Sequence, residues 1–206
     1  LGLLAAFATP LHAEAGGRDG LMRAVAALEA HRYGRAEKIL EGVVAAFPDS
    51  LEAGFYLGQA LYYQGRLDEA KQRFEAVRVA DPGIPVTYYY LGRIAFDRGD
   101  FAGALGQLES ADQRDPDLAM VHYYLGLAYD RRQRPGEALA EFRKALALQA
   151  DLEPASYAMA YVLFHEFREG PEALACLRPL ARTRDGAMRR KAAALRRNIL
   201  ALRGIQ

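Results

Sequence analysis

Apolar residues recur every three or four positions along most of this chain, and small residues recur on a longer beat. Tyr88, Leu91, Gly92 and Ala95 fall at i, i+3, i+4 and i+7, the spacing of one face of an α-helix. Gly99 breaks that run. Phe101, Ala104, Leu108 and Ala111 then start a second one, which Asp115-Pro116 ends because the residue before a proline avoids the helical region. The longer beat is 34 residues: Leu57-Gly58, Leu91-Gly92 and Leu125-Gly126 share it, as do Ala36, Ala70, Ala104 and Ala138, and Pro48, Pro82 and Pro116. Three independent marks on one period predict tandem helix–turn–helix units starting at Gly17, Leu51, Pro85, Ala119 and Glu153.

The outer units depart from the pattern. Arg23-Ala24 stands at the Leu-Gly place of the first, and Met159-Ala160 at that of the fifth. Ala173 follows Ala138 by 35 residues, which predicts one inserted residue near Gly170-Pro171. Beyond the fifth unit Met188, Ala192, Leu195, Ile199 and Leu202 keep helical spacing, with arginines on the other faces. Gly92 and Ala104 are expected where the two helices of a unit cross closest, so that leucine in place of Gly92 would force the axes apart.

The 34-residue period, the "YLG" triplet, the spaced alanine and the closing "DP" resemble the tetratricopeptide repeat over residues 17–184, in units 17–50, 51–84, 85–118, 119–152 and 153–184. The resemblance implies an all-α, right-handed superhelical solenoid, with residues 185–206 as a basic helix capping the last exposed apolar face. It implies a concave groove lined by the first helices. Carried over by position, that groove comprises Phe55, Gln59, Tyr62 and Tyr63; then Tyr89, Arg93, Phe96 and Asp97; then Tyr123, Leu127, Asp130 and Arg131; then Tyr157, Tyr161 and Phe164. Val86, Met120 and His165 flank these positions. The consecutive tyrosines fit this scheme: Tyr88 belongs to the core stripe, Tyr89 to the groove, and Tyr90, like Tyr56 and Tyr124, to the space between neighbouring first helices. Some groove rings are expected to pack between helices and the rest to contact a partner, since tyrosine offers a large rigid surface with a polar tip. The lysine and asparagine clamp with which one subclass grips a chaperone's terminal carboxylate is absent: its places carry Phe55, Gln59, Tyr89 and Arg93.

Composition agrees with helix. The 206 residues are 51% hydrophobic and 26% charged, and Ala, Leu, Arg and Glu outweigh the β-branched types. The net charge of +1 conceals a division. From Arg178 onward nine basic residues face Asp185 alone, which makes the tail +8 and leaves −7 for the rest. The run "MRRKAAALRR" therefore offers a contact for anionic lipid. Nucleic acid is disfavoured, because no aromatic interleaves the arginines. At the other end "LGLLAAFATPLHAEA" reads as the back half of a secretory leader, residues 1–16, with Ala13-Glu14-Ala15 as an A-x-A site and Gly16-Gly17 interrupting any continuation. This places the protein in the periplasm or otherwise outside the cytoplasm; a cytoplasmic protein with an ordinary first helix is the alternative.

Little in the chain promises chemistry. Cys176 has no partner cysteine. "HEFRE", His165 to Glu169, has Glu169 where a zinc-protease motif needs histidine, and a hydrolytic zinc needs a third ligand besides. His122 occupies the core place held by Tyr88 one unit earlier and is expected to be buried and hydrogen-bonded. Phosphate-loop and nucleophile-elbow motifs are missing. The expectation is a protein without cofactor, metal or catalytic site: an adaptor that holds a partner's protein or peptide segment in its aromatic groove within a bacterial envelope complex. Two other readings stand beside it: the soluble module of an outer-membrane transport or secretion assembly, and a membrane-surface or nucleic-acid binder acting through the basic helix. Leu21, Val25 and Leu28 of the first unit add the expectation of pairing with a second copy.

Overall fold

The computed structural model describes residues 15–203. The leader read in residues 1–14 lies outside them. Eleven α-helices and no strand are found among the described residues: α1 (Ala15–Glu29), α2 (Tyr33–Ala46), α3 (Leu51–Tyr63), α4 (Leu67–Ala80), α5 (Pro85–Asp97), α6 (Phe101–Asp112), α7 (Ala119–Arg131), α8 (Pro135–Leu148), α9 (Glu153–His165), α10 (Gly170–Leu177) and α11 (Gly186–Arg203), with a 3₁₀ turn at Pro179–Arg182. The helices form two compact units, one up to Gly99 holding α1–α5 and one from Asp100 onward holding the rest.

In each unit the two kinds of helix bury different amounts of themselves. The even-numbered helices bury one stripe at i, i+4 and i+7: Ala36, Leu40 and Val43; Ala70, Phe74 and Val77; Ala104, Leu108 and Ala111; Ala138, Phe142 and Ala145. Their other faces meet water, and their charged residues lie there. Helices α3 and α5 are enclosed nearly all round. Every residue of α3 from Phe55 to Tyr62 is buried, as are Val86 to Gly92 and Ile94 of α5. Tyr88, Tyr89 and Tyr90 are all buried for that reason, each on a different face. Tyr90 reaches back to stack on Phe74 (ring centroids 4.9 Å apart, 14° between planes) and sets its edge against Phe55. Tyr88 turns its hydroxyl to donate to the Pro82 carbonyl at 3.1 Å.

Glycine marks the closest approach of helix pairs. A Cβ on Gly58 would lie 2.9 Å from Phe74, and one on Gly126 would lie 2.5 Å from Phe142, both rings fully buried. The side chain nearest the glycine is a phenylalanine four residues beyond Ala70 or Ala138. The flat ring fills the space that the absent side chain leaves. The same economy explains α1, which runs through Gly16 and Gly17 where the sequence predicted a break. Gly17 and Gly20 are buried, and a Cβ on Gly20 would meet Val43 of α2 at 2.7 Å.

Each turn between paired helices holds one residue in the left-handed region: His31, Gly65, Gly99, Gln133 and Arg168. Glycine adopts this conformation at no steric cost. The first four keep the 34-residue step and Arg168 falls one residue late, because the turn from α9 to α10 spans residues 166–169 where the turn from α7 to α8 spans 132–134. The inserted residue therefore sits before Gly170-Pro171, inside the turn, and the start of α10 is displaced with it.

His122 of α7 repeats the role of Tyr88 with added charge. Its Nε2 lies 2.9 Å from the Pro116 carbonyl and its Nδ1 lies 2.7 Å from the Glu141 carboxylate of α8. Both partners are acceptors, and only the doubly protonated ring can donate to both. The hydrogen bond with Glu141 raises the histidine above its ordinary 6.5 against the opposing effect of burial. For Glu141 burial acts upward, and the bonds from His122 and Lys144 outweigh it to hold the carboxyl below its ordinary 4.5. The terminal helix α11 closes the second unit by burying Ala192, Leu195 and Ile199 in a cluster with Leu163, Leu177 and Leu180.

Two outcomes follow from this packing. Gly126→Ala should destabilise the protein by about 1–3 kcal/mol from overpacking, less the fraction of a kcal/mol that alanine gains in helix propensity, read as a lowered urea midpoint at unchanged slope. The His122 contribution is fully present below pH 6.5 and lost as pH rises through its raised folded value, and the Glu141 contribution is present above pH 4.5 and lost as pH falls through its lowered value. Urea midpoints should thus be highest between those limits and fall toward pH 8, and His122→Phe should remove the fall.

Candidate functional site

The groove residues expected from the sequence divide into a buried layer and an exposed one. On the first unit Phe55 is fully enclosed, and Gln59, Tyr62 and Tyr89 are more than nine-tenths buried. They form the floor. Gln59 donates to the Tyr90 hydroxyl at 2.9 Å, and Tyr62 donates to Asp97 at 2.5 Å, which ties α3 to α5. Arg93 is half-buried among four rings, its guanidinium 4.5 Å from the centre of Tyr62, 5.3 Å from Tyr89 and Tyr90, and 5.7 Å from Tyr63. A cation over aromatic faces is attracted by the ring quadrupole, more so out of water. Phe96 is half-buried and Asp97 exposed.

Tyr63 is the ring that this floor presents to solvent, at 43% exposure. It stacks on Tyr33 at 5.0 Å and 16°, and Tyr33 in turn accepts or donates a 2.7 Å hydrogen bond with His31. Burial pushes the Tyr63 hydroxyl up, yet hydrogen bonds with Tyr90 and Arg93 and the Arg93 charge bring it below its ordinary value; Tyr90 is raised, by burial first and then by Tyr63. Tyr33 and His31 escaped the sequence reading because they lie in the α1–α2 turn and at the start of α2, outside the first-helix register. The signal available was a tyrosine at the first position of a second helix, where the other units have Leu67, Phe101 and Pro135 without a hydroxyl.

The second unit repeats the arrangement on α7 and α9. Phe164 is buried, while Tyr123, Leu127 and Tyr157 are half-buried and pack on the core. Asp130 is half-buried, with its carboxyl raised by burial against the lowering effect of Arg131, which is exposed. Tyr161 stands out at 44% exposure with its ring 4.2 Å from that of His165. Tyr157, Tyr161 and His165 lie four residues apart on α9 and so share one face. Phe167 in the following turn is 43% exposed.

Other candidate chemistry is accounted for by packing. Helix α9 ends at His165 and Arg168 is left-handed, so Glu169, the residue before α10, does not continue a helical face with His165. No group of three or more His, Cys, Asp or Glu side chains able to hold a metal occurs among the described residues. Cys176 is half-buried and burial pushes its thiol up, away from the nucleophilic form. A cleft of about 220 Å³ lined by Glu37, Glu41, Leu57, Arg66 and Arg73 lies on the first unit, and Arg66 there is engaged by Glu37 and Glu69. No helix among the described residues is long and apolar enough to cross a membrane.

Comparison with known proteins gives the architecture a family. Two tetratricopeptide repeat models match, one over residues 27–91 and one over 89–153. Among solved structures the chain is similar to TTC0263, a thermophilic TPR protein of Thermus thermophilus, at 22% identity and a TM-score of 0.74, covering 87% of this chain and 98% of that one. It is similar to the pilF protein of Pseudomonas aeruginosa at 20% identity and a TM-score of 0.76, covering 93% and 90%. It is also similar to MamA from Desulfovibrio magneticus, at 18% identity and a TM-score of 0.66, covering 90% and 97%. At these identities the likeness is one of fold. No curated protein sequence matches the chain. With family models covering residues 27–153, the chain belongs to the tetratricopeptide repeat family, whose repeats in general bind protein or peptide partners and are non-catalytic.

Proposed function

We propose that this protein is a scaffold that holds a helical or extended segment of a partner protein against the aromatic faces of its first helices, within a complex of the bacterial envelope. The observation that carries the reading is the exposure of Tyr63 and Tyr161 on otherwise enclosed helices. Large rings left in water on a rigid base are costly unless a partner covers them, and clusters of them mark interaction surfaces. On the first unit the contact consists of Tyr63 with Tyr33 and Arg93, fixed from beneath by Phe55, Gln59, Tyr62 and Tyr89. On the second it consists of Tyr161 with Tyr157 and His165, fixed by Phe164. Preformed rings lose little conformational entropy on binding.

The A-x-A pattern at Ala13-Glu14-Ala15 supports export, and with it a partner in the envelope. The variant to make is Tyr63→Ser with Tyr161→Ser, since both rings are exposed and their loss leaves the core intact. Affinity capture from the envelope fraction of the native cell, compared between wild type and variant, should lose one set of proteins at unchanged circular dichroism. Identical captures would contradict the assignment.

A further inference from the structure

The terminal helix α11 carries a second surface, independent of the aromatic one. Its Ala192, Leu195 and Ile199 are consumed by packing. At 100° per residue, Arg196, Arg189, Leu200, Ala193, Arg197 and Arg190 then fall in that order on one arc facing away from the packed stripe. Between Gly186 and Arg203 there is no acidic residue. Asp185, the single carboxylate of the tail, is engaged as the helix cap, accepting from the backbone N–H groups of Ala187 and Met188 at 2.8 and 3.1 Å. Elsewhere on this unit Arg134 and Arg143 are paired with Glu137 and Glu172. Among the described residues none of Arg189, Arg190, Arg196 and Arg197 is paired with a carboxylate, and Arg189 reaches only the Thr183 carbonyl, at 3.3 Å. Leu200, within this arc, is 43% exposed.

From this we infer that α11 docks on the surface of an anionic phospholipid bilayer, lying along it with its arginines at the headgroups and Leu200 between them entering the acyl boundary. Unpaired cations need anions, and a flat field of phosphates satisfies four guanidinium groups along about two turns of one helix without a shaped partner. An exposed leucine within a basic face adds the apolar contact that distinguishes a bilayer from a soluble polyanion. The helix remains bound to its own core throughout, because the docking face and the packed stripe use different residues on different faces of the helix. The surface works as an attachment point and leaves the aromatic faces of α3, α5 and α9 to their own ligand.

The test is flotation of the whole protein with vesicles of phosphatidylcholine alone or with a third phosphatidylglycerol, and in parallel the binding of duplex DNA and of polyglutamate. Wild type should float with the anionic vesicles only, and high salt should release it. Arg189→Gln, Arg190→Gln, Arg196→Gln and Arg197→Gln combined should reduce the partition coefficient on the order of a hundredfold. Leu200→Ser should reduce it further at constant charge, while circular dichroism shows α11 still folded. Binding to DNA or polyglutamate as tight as to the anionic vesicles, or vesicle binding indifferent to Leu200→Ser, would overturn the lipid assignment. Vesicle binding unchanged by the four glutamines would overturn the surface itself.

Discussion

Where Gly58 faces Phe74 and Gly126 faces Phe142, two helices come so close that no Cβ fits between them. That approach sets the thickness of the repeat. A helix pair so closely joined leaves the first helix with further faces uncovered, and these are closed by the helices before and after it. First helices such as α3 and α5 therefore become buried nearly all round, whereas the second helices need one stripe only. The unequal burial of α3 and α4 is a direct result.

A helix enclosed on most sides can offer a partner only what emerges from its margin. On α3 that is Tyr63, at the end of a run in which every residue from Phe55 to Tyr62 is buried. On α9 it is Tyr161, beside buried Ala160 and Val162. The rings beneath are shared between fold and function: Tyr90 holds α5 to α3 and α4, and the same Tyr90 hydroxyl takes the Gln59 amide and lies 3.5 Å from the Tyr63 hydroxyl. A surface built this way is rigid because it continues the core.

Much of the fold was legible because the repeat prints one constraint several times. Leu-Gly, the spaced alanine and the proline are each weak alone, and their common step located the starts of α3, α5, α7 and α9. What the period could not convey were contacts specific to one copy. Four residues beyond the spaced alanine stand Phe74 and Phe142, opposite Gly58 and Gly126, but Leu40 and Leu108 in the other two units. Glycine near the start of α1 reads as a helix stop until the packing is known: Gly17 and Gly20 are buried, and Gly20 faces Val43 too closely for a side chain. The site was legible as a register and not as a surface: position showed that Phe55, Tyr62 and Tyr63 share a face, but only packing separates the enclosed Phe55 from the open Tyr63. Tyr33 joins that surface from another helix, which no repeat register encodes.

The central claim is that the aromatic residues divide into a structural layer and a contact layer. Hydroxyl-radical footprinting read by mass spectrometry, on the free protein and on the complex isolated from the envelope, measures that division residue by residue. The account predicts rapid oxidation of Tyr63 and Tyr161 in the free protein, their protection in the complex, and slow oxidation of Tyr88, Tyr89 and Tyr90 in both. Equal oxidation of all five in the free protein, or no protection of Tyr63 and Tyr161 in the complex, would contradict it.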